Sequence, residues 1–415
     1  MYEPDKFFQL LQALSWSKDV SSDFSPEFSS FITTSNDDEL GYYLYLLEEK
    51  CQQDHTLAYK FVNYIFSHLR TQNFGEPFDG AVVFAIRQAA QEKQEQYATN
   101  LLQKLMELRY PSLNITLPDI STIYDPMQFS KEPFITAKGS SSAVSLSKPD
   151  PNNNMIYALK YFVFLPGTTM YDFYALEMIF RETIILKFLN AKNNQHIIQL
   201  YETYLSSPRM LMKMPYANVG GLDQQLEKNL PTINLHHLDF IKQILDGLIF
   251  IHEQGVVHRD IKPQNIVLFS DTSGKDVLKI IDFGAAKFKK DLSLRDTCMT
   301  TPYYASLESL SPEMLESDRS DVFSAIMVLF MMIQNFKAPH PFSDHPNKEL
   351  LSHIAKKPED SDCILQHFHK PTTLLPSFEK TVADAKLKEL MTTALLAPPE
   401  KRPTAKEFKL SLTGC

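Results

Sequence analysis

Apolar positions in the first hundred residues recur at helical spacing. The segments FFQLLQAL, ELGYYLYLLEEK, LAYKFVNYIFSHLR and AVVFAIRQAAQEKQEQYATNLLQKLMEL each carry one apolar stripe, and polar loops separate them. The last is crowded with Gln, Glu and Lys, as a solvated helix face would be. No repeat of fixed period is evident. The proline-containing stretch 111–126 reads as a linker. The pattern then shortens. Segments 134–144 and 155–164 read as strands around the turn-rich loop SKPDPNNN. A helix follows over about 172–189, and 197–205 and 210–214 read as two more strands. From Leu238 onward helices dominate, interrupted by a strand pair at 266–269 and 277–281. A small sheet-rich lobe ahead of a larger helical lobe predicts a two-lobed α+β fold, preceded by an all-helical N-terminal domain. The boundaries fall at 1–115 for the helical domain, 116–130 for the linker and 131–412 for the two-lobed domain, with lobes at about 131–214 and 218–412.

Composition narrows the class. A chain of 415 residues with 44% hydrophobic and 22% charged residues can bury a substantial core and is not mainly disordered. Lys and Arg number 41 against 50 Asp and Glu, a net charge of −9, which argues against a general nucleic-acid binder. Four scattered cysteines, Cys51, Cys298, Cys363 and Cys415, suggest a reducing compartment and no disulfide scaffold. The N-terminus lacks a basic-then-apolar signal pattern. The longest apolar run, 322–333, is broken only by Ser324. It falls short of the roughly 20 residues a bilayer needs and reads as a buried core helix. These features predict a soluble, cytoplasmic protein without a membrane span.

The chemistry concentrates in His258-Arg259-Asp260-Ile261-Lys262-Pro263-Gln264-Asn265 and, further on, Asp282-Phe283-Gly284. Phosphoryl transfer from ATP needs a group that orients the attacking hydroxyl and accepts its proton, and divalent metal to neutralise the phosphates. Asp260 suits the first role. Asn265 and Asp282 offer hard oxygen ligands for Mg²⁺. Lys262, two residues from the base, is placed to steady the transferring group.

With these two motifs the chain resembles the eukaryotic-type protein kinases over about residues 130–410. Tyr157-Ala158-Leu159-Lys160 resembles the strand carrying the ATP-anchoring lysine. Strand alternation puts Ala158, Lys160, Phe162 and Phe164 on one face, where a lysine needs an anionic partner. The next helix offers Glu177 and Glu182. Glu182 shares a face with Ala175, Ile179 and Leu186, whereas Glu177 has Arg181 at i+4 for a surface pair. A Lys160–Glu182 ion pair is therefore expected. The phosphate loop aligns with Ala137-Lys138-Gly139-Ser140-Ser141-Ser142-Ala143-Val144, which keeps only the middle glycine of G-x-G-x-x-G-x-V. Ala137 and Ser142 should stiffen it.

By the same resemblance Met214 is the gatekeeper, and Tyr216 and Ala217 offer backbone groups to adenine. Thr301-Pro302-Tyr303-Tyr304-Ala305-Ser306-Leu307-Glu308 resembles the substrate loop, with Leu307 in place of the usual proline and Thr300 in place of the usual glycine. Glu308 should pair with Arg402. Asp321-Val322-Phe323-Ser324 resembles the start of the central helix. Lys262 together with Thr301 implies serine/threonine specificity, and Tyr303 and Tyr304 leave dual specificity as a minor option.

Arg259 in this family often receives a phosphate from the activation segment. Lys287 is placed to help, and Ser293, Thr297 and Thr300 are candidate acceptors. Asp291 or Asp296 offers a fixed negative charge instead. Cys363, His367 and His369 read as lobe surface rather than a zinc site. The resemblance implies a serine/threonine kinase using ATP and Mg²⁺ (or Mn²⁺) on protein substrates. The N-terminal helices are expected to dock on the core or recruit a partner. The alternative, motivated by the lost glycines and Leu307, is a pseudokinase acting as a nucleotide-binding scaffold. An unfamiliar helical domain on such a core fits a protozoan enzyme, or a bacterial effector delivered to host cytosol.

Overall fold

The structure, a computed structural model, describes residues 3–13, 26–34, 137–138, 142–150, 152–162, 169–204, 211–228, 231–270, 274–291, 301, 303–310, 316–334 and 382–413, with single positions at 43, 46, 57, 60, 100, 101, 104 and 378. The chain divides into two compact units, Met1–Phe188 with Leu200–Tyr216, and Leu189–Gln199 with Ala217–Cys415.

The first unit opens with helices α1 (Pro4–Ala13) and α2 (Pro26–Thr34). Each starts at a proline, whose fixed φ suits a first turn. Phe7, Phe8 and Leu11 of α1 are buried, and the Phe7 ring stacks on Tyr43 at 4.8 Å, with Phe28 of α2 at 5.8 Å. The apolar pattern does not single out α2, because PEFSSFITT is too short to show a stripe. The helices expected over 39–50, 57–70 and 81–108 and the linker at 111–126 lie largely or wholly outside the described residues.

A five-stranded antiparallel sheet follows, built from β1 (Ala137–Lys138), β2 (Ser142–Leu146), β3 (Tyr157–Phe162), β4 (Glu202–Tyr204) and β5 (Leu211–Pro215) in the order β1-β2-β3-β5-β4. The register sets Val144, Lys160, Met212 and Thr203 side by side on adjacent strands. Residues directly opposite point to the same face, so Lys160 shares its face with this row. The other face holds Ala143, Tyr157, Leu159, Tyr161 and Leu211 as one buried cluster. Helix α3 (Thr169–Asn190) buries Ile179, Glu182, Ile185 and Leu186. Arg181 is also buried, at 4% exposure, which corrects the expectation of a surface pair with Glu177. Segment 197–205 is not one strand. Only Glu202–Tyr204 pairs with β5, while Ile197 forms an isolated parallel bridge to Ile280.

The second unit is built on α5 (Pro231–Glu253) and α7 (Asp318–Gln334). Short helices α4 (Leu222–Glu227) and α6 (Leu307–Leu310) lie between motifs of the site. In α7 every residue from Val322 to Met332 is buried, so the helix is apolar all round and forms the core. Helix α5 faces it with Ile241, Leu245, Leu248 and Ile251 buried. Gly247 lets α5 approach the neighbouring strand: an added Cβ would lie 2.8 Å from Ile280 Cδ1 and 3.3 Å from the His196 carbonyl oxygen. Two small sheets frame the loops between the helices. One joins β6 (Gly220–Gly221), β8 (Ile266–Ser270) and β9 (Asp276–Ile280); the other pairs β7 (Val256–Val257) with β10 (Lys287–Phe288). Arg402 forms the expected pair with Glu308, both nearly inaccessible, and Ser320 Oγ donates to the same carboxylate at 3.1 Å. Among the described residues no helix is long and apolar enough to cross a membrane.

Asp321, in the first turn of α7, fixes the loop ahead of β8. Its Oδ1 accepts the Arg259 backbone N–H at 2.8 Å, and its Oδ2 accepts the His258 backbone N–H at 2.9 Å and His252 Nε2–H at 2.8 Å. Burial by itself raises this carboxyl. The bonds from His252 and His258 more than offset that, holding it below the usual aspartate range. A depressed carboxyl contributes stability above its unfolded pKa, and that contribution is lost as pH falls through the folded one. Asp321→Asn is expected to lose about 3–5 kcal/mol at neutral pH, as removal of a buried, bonded charge does. Thermal unfolding at pH 7 and on the acid side checks both effects: the variant should also show a smaller further loss on acidification than wild type.

Candidate active site

The sequence from β7 to β8 must turn sharply to bring His258–Asn265 across the end of α7. Arg259 takes a left-handed backbone, φ 71°, and Asp282 does the same at φ 63°. Such conformations cost non-glycine residues about 1–3 kcal/mol each and persist where the surroundings hold them. Asp321 holds the first. The second follows Ile281, whose N–H donates to the Asn265 carbonyl at 2.9 Å and whose carbonyl accepts from His258 Nε2–H at 3.0 Å. His258 Nδ1 accepts the Asp260 N–H at 3.3 Å, so the two partners assign the ring tautomer. The ring meets Phe283 edge-on at 4.8 Å. One histidine thus ties the two sequence motifs together.

Asp260 is 9% exposed, and both of its carboxylate oxygens are engaged. Oδ2 accepts from Asn265 Nδ2 at 2.9 Å and lies 2.6 Å from Lys262 Nζ. Oδ1 accepts the Thr301 backbone N–H at 3.0 Å and the Thr301 hydroxyl at 2.8 Å. Lys262 Nζ donates to that same hydroxyl oxygen at 2.7 Å. The two side chains therefore cradle a hydroxyl, one accepting its proton and the other donating to its oxygen. Asn265 also donates from Nδ2 to the Asp260 carbonyl at 2.8 Å. Its amide nitrogen is directed at Asp260, and its Oδ1 is the atom left for a hard cation. The Ile281–Asn265 backbone bond keeps Asp282 next to it in the loop.

In the first unit the expected ion pair is present. Lys160 Nζ lies 2.9 Å from Glu182 Oε1 and 2.7 Å from Oε2, and the two side chains are 8% and 1% exposed. Val144 on β2 and Met212 on β5 flank the lysine in register, and Ala158 stands opposite Met214. Tyr216 is 40% exposed, and the division between units falls between it and Ala217. Ala137 and Ser142 are strand residues, with Ala137 opposite Val144, while Gly139 lies outside the described residues.

Arg259 is buried, and its guanidinium is engaged inside the fold: Nε donates to Glu316 Oε2 at 2.5 Å and Nη1 to the Ala285 carbonyl at 3.4 Å. Glu316 Oε1 accepts from Ser309 Oγ at 2.6 Å. Burial raises the Glu316 carboxyl above its ordinary range, against the pull of Arg259 and Ser309, and Asp321 adds to the rise. Among the described residues Glu316 sets a carboxylate against Arg259, while the side chain of Asp291 lies outside them. No motif marks position 316, so sequence spacing passes over it. Lys287 sits on β10 opposite Val257. Ser293, Asp296, Thr297 and Thr300 lie outside the described residues, as do Cys363, His367 and His369. Among the described residues no group of three or more His, Cys, Asp or Glu is placed to hold a metal. Tyr303 and Tyr304 are buried, at 1% and 5% exposure, in structural positions.

Comparison with known proteins agrees with this geometry. The serine/threonine-protein kinase GIN4 of Saccharomyces cerevisiae is 32% identical over 176 residues, 42% of this chain and 15% of the relative. A probable serine/threonine-protein kinase of Dictyostelium discoideum is 29% identical over 230 residues, 55% of this chain and 24% of its own length. Rat myosin light chain kinase 2 of skeletal and cardiac muscle is 27% identical over 177 residues, 42% and 28% of the two chains. The alignments thus span less than a third of each relative. The model of the protein kinase domain matches residues 137–411, well over half of the chain, and the chain belongs to the protein kinase domain family.

Proposed function

We propose that this chain transfers the γ-phosphoryl group of ATP to serine and threonine hydroxyls of protein substrates. The observation that carries the reading is the hydroxyl cradle, in which Thr301 Oγ1 donates to Asp260 and accepts from Lys262. A substrate hydroxyl meeting the same two groups would lose its proton to Asp260 as its oxygen attacks phosphorus. The new O–P bond forms as the bond to the β,γ-bridging oxygen breaks, and ADP leaves with that oxygen's electron pair. Lys262 opposes the negative charge on the transferring group. Lys160, held by Glu182, would take the α- and β-phosphates. Asn265 Oδ1 and Asp282 supply the hard donors that Mg²⁺ prefers, and the cation would neutralise phosphate charge when bound. The retained set of Lys160, Glu182, Asp260, Lys262, Asn265 and Asp282 favours an enzyme over a scaffold.

The helical N-terminal domain has a structural role in this reading. Leu159, Leu211 and Ala143 are 0–2% exposed on the sheet face opposite Lys160, and a solvated face would not be apolar and closed. We assign the covering to residues 1–115, docked on that face. The scattered cysteines and the acidic charge suit a reducing cytosol.

Incubation with labelled ATP and Mg²⁺, read by mass spectrometry, tests the activity. Asp260→Ala should lower transfer at least about 100-fold, the scale of a lost general base, with nucleotide binding nearly kept. Lys160→Met should weaken nucleotide binding as well as turnover. Wild-type transfer in Asp260→Ala overturns the assignment. Crosslinking of the intact chain tests the docking: links from lysines in residues 1–115 to Lys148 or Lys213 are expected, and their absence counts against it.

A further inference from the structure

We propose that Glu316 is a positioning residue for phosphoryl transfer, acting on Asp260 through Arg259. The inference rests on the kinase reading above. Glu316 is 8% exposed and stands just ahead of α7, outside every motif of the site. Its two oxygens face different parts of the molecule. Oε2 accepts from Arg259 Nε at 2.5 Å; Oε1 accepts from Ser309 Oγ at 2.6 Å, and Ser309 Oγ lies 3.0 Å from Ser306 Oγ. The carboxylate therefore joins the loop that carries the base to the segment that begins at Thr301.

Arg259 is the part of that loop under greatest constraint. Its backbone is left-handed at φ 71°, its N–H is fixed by Asp321, and its side chain reaches the Ala285 carbonyl directly after Asp282-Phe283-Gly284. Asp260 is the next residue, so a tilt of the Arg259 peptide moves the base. A guanidinium cannot shed its proton to suit a buried site. Without an anion it would be drawn toward solvent and would pull the loop with it. Glu316 supplies that anion from within the fold. The carboxylate is part of the chain and needs no modification to face the arginine. Among the described residues, Arg259, Ser309 and Asp321 are the charged or polar groups that set its environment.

Glu316 touches neither nucleotide nor hydroxyl, so its loss should show in turnover and not in nucleotide affinity. Glu316→Gln in the full chain is expected to lower kcat at least about 10-fold, with KM for ATP within about 2-fold of wild type. Turnover is counted per nucleotide-binding molecule, so partial unfolding does not imitate the effect. Should the single variant fail to fold, Arg259→Met/Glu316→Gln removes both buried charges together, a change such pairs commonly tolerate. Its kcat should equal that of Arg259→Met alone, because on this inference Glu316 reaches Asp260 through the arginine and its Ser309 bond does not move the base. A Glu316→Gln enzyme with wild-type kcat, a fall in ATP affinity that accounts for the loss, or a further fall in kcat in the double variant over Arg259→Met overturns the inference. An inactive wild type would instead overturn the kinase reading itself.

Discussion

A single carboxylate, that of Asp321, carries the catalytic loop. Three donors converge on it: two successive backbone N–H groups, from His258 and Arg259, and the His252 ring. Because Asp321 stands in the first turn of a helix buried from Val322 to Met332, the loop takes its coordinates from the core of the second unit. A buried charge with all its partners in place specifies one geometry, since any other leaves donors or acceptors unpaired. From that anchor, His258 reaches Ile281 and Phe283, Asn265 reaches Ile281, and Asp260 reaches Thr301. The motifs, scattered through the sequence, become one site through this chain of short polar contacts.

Much of this was legible in the residues alone. The Lys160–Glu182 pair followed from two periodicities, alternation along a strand and the i, i+4 face of a helix. The choice of Glu182 over Glu177 rested on that face together with the family resemblance that marked Lys160. Most of the apolar run 322–333, from Val322 to Met332, is buried, as the absence of charge predicts. The pattern was silent where contacts join segments without a local signature. Glu316 sits in a stretch with no period, and its meaning comes only from facing Arg259. Arg181 shows the opposite limit: helical spacing predicts neighbours on a face, but not whether that face is covered. The strand expected over 197–205 failed for a related reason. Its apolar residues satisfy two different partners, β9 at Ile197 and β5 at Glu202–Tyr204, and alternation alone does not show where the chain changes hands.

The two halves of the chemistry are stabilised differently. Lys160 and Glu182 are opposite charges buried together, whose attraction is offset by the cost of taking both from water. Asp260 is held by neutral donors as well as by Lys262, and one of those donors is the hydroxyl of Thr301. That hydroxyl belongs to a residue type the enzyme is inferred to act on, so the chain carries its own template for the geometry a substrate must reach.

The left-handed backbones of Arg259 and Asp282 set thermal robustness against turnover. Glycine at 282 would relieve strain at that position, a gain of order 1 kcal/mol, and would remove the carboxylate proposed to hold the cation in the same step. A library of variants screened for melting temperature alone would therefore enrich at this site the substitutions that the proposed chemistry cannot spare, and on that reading the stability ceiling of an active protein lies below that of the fold.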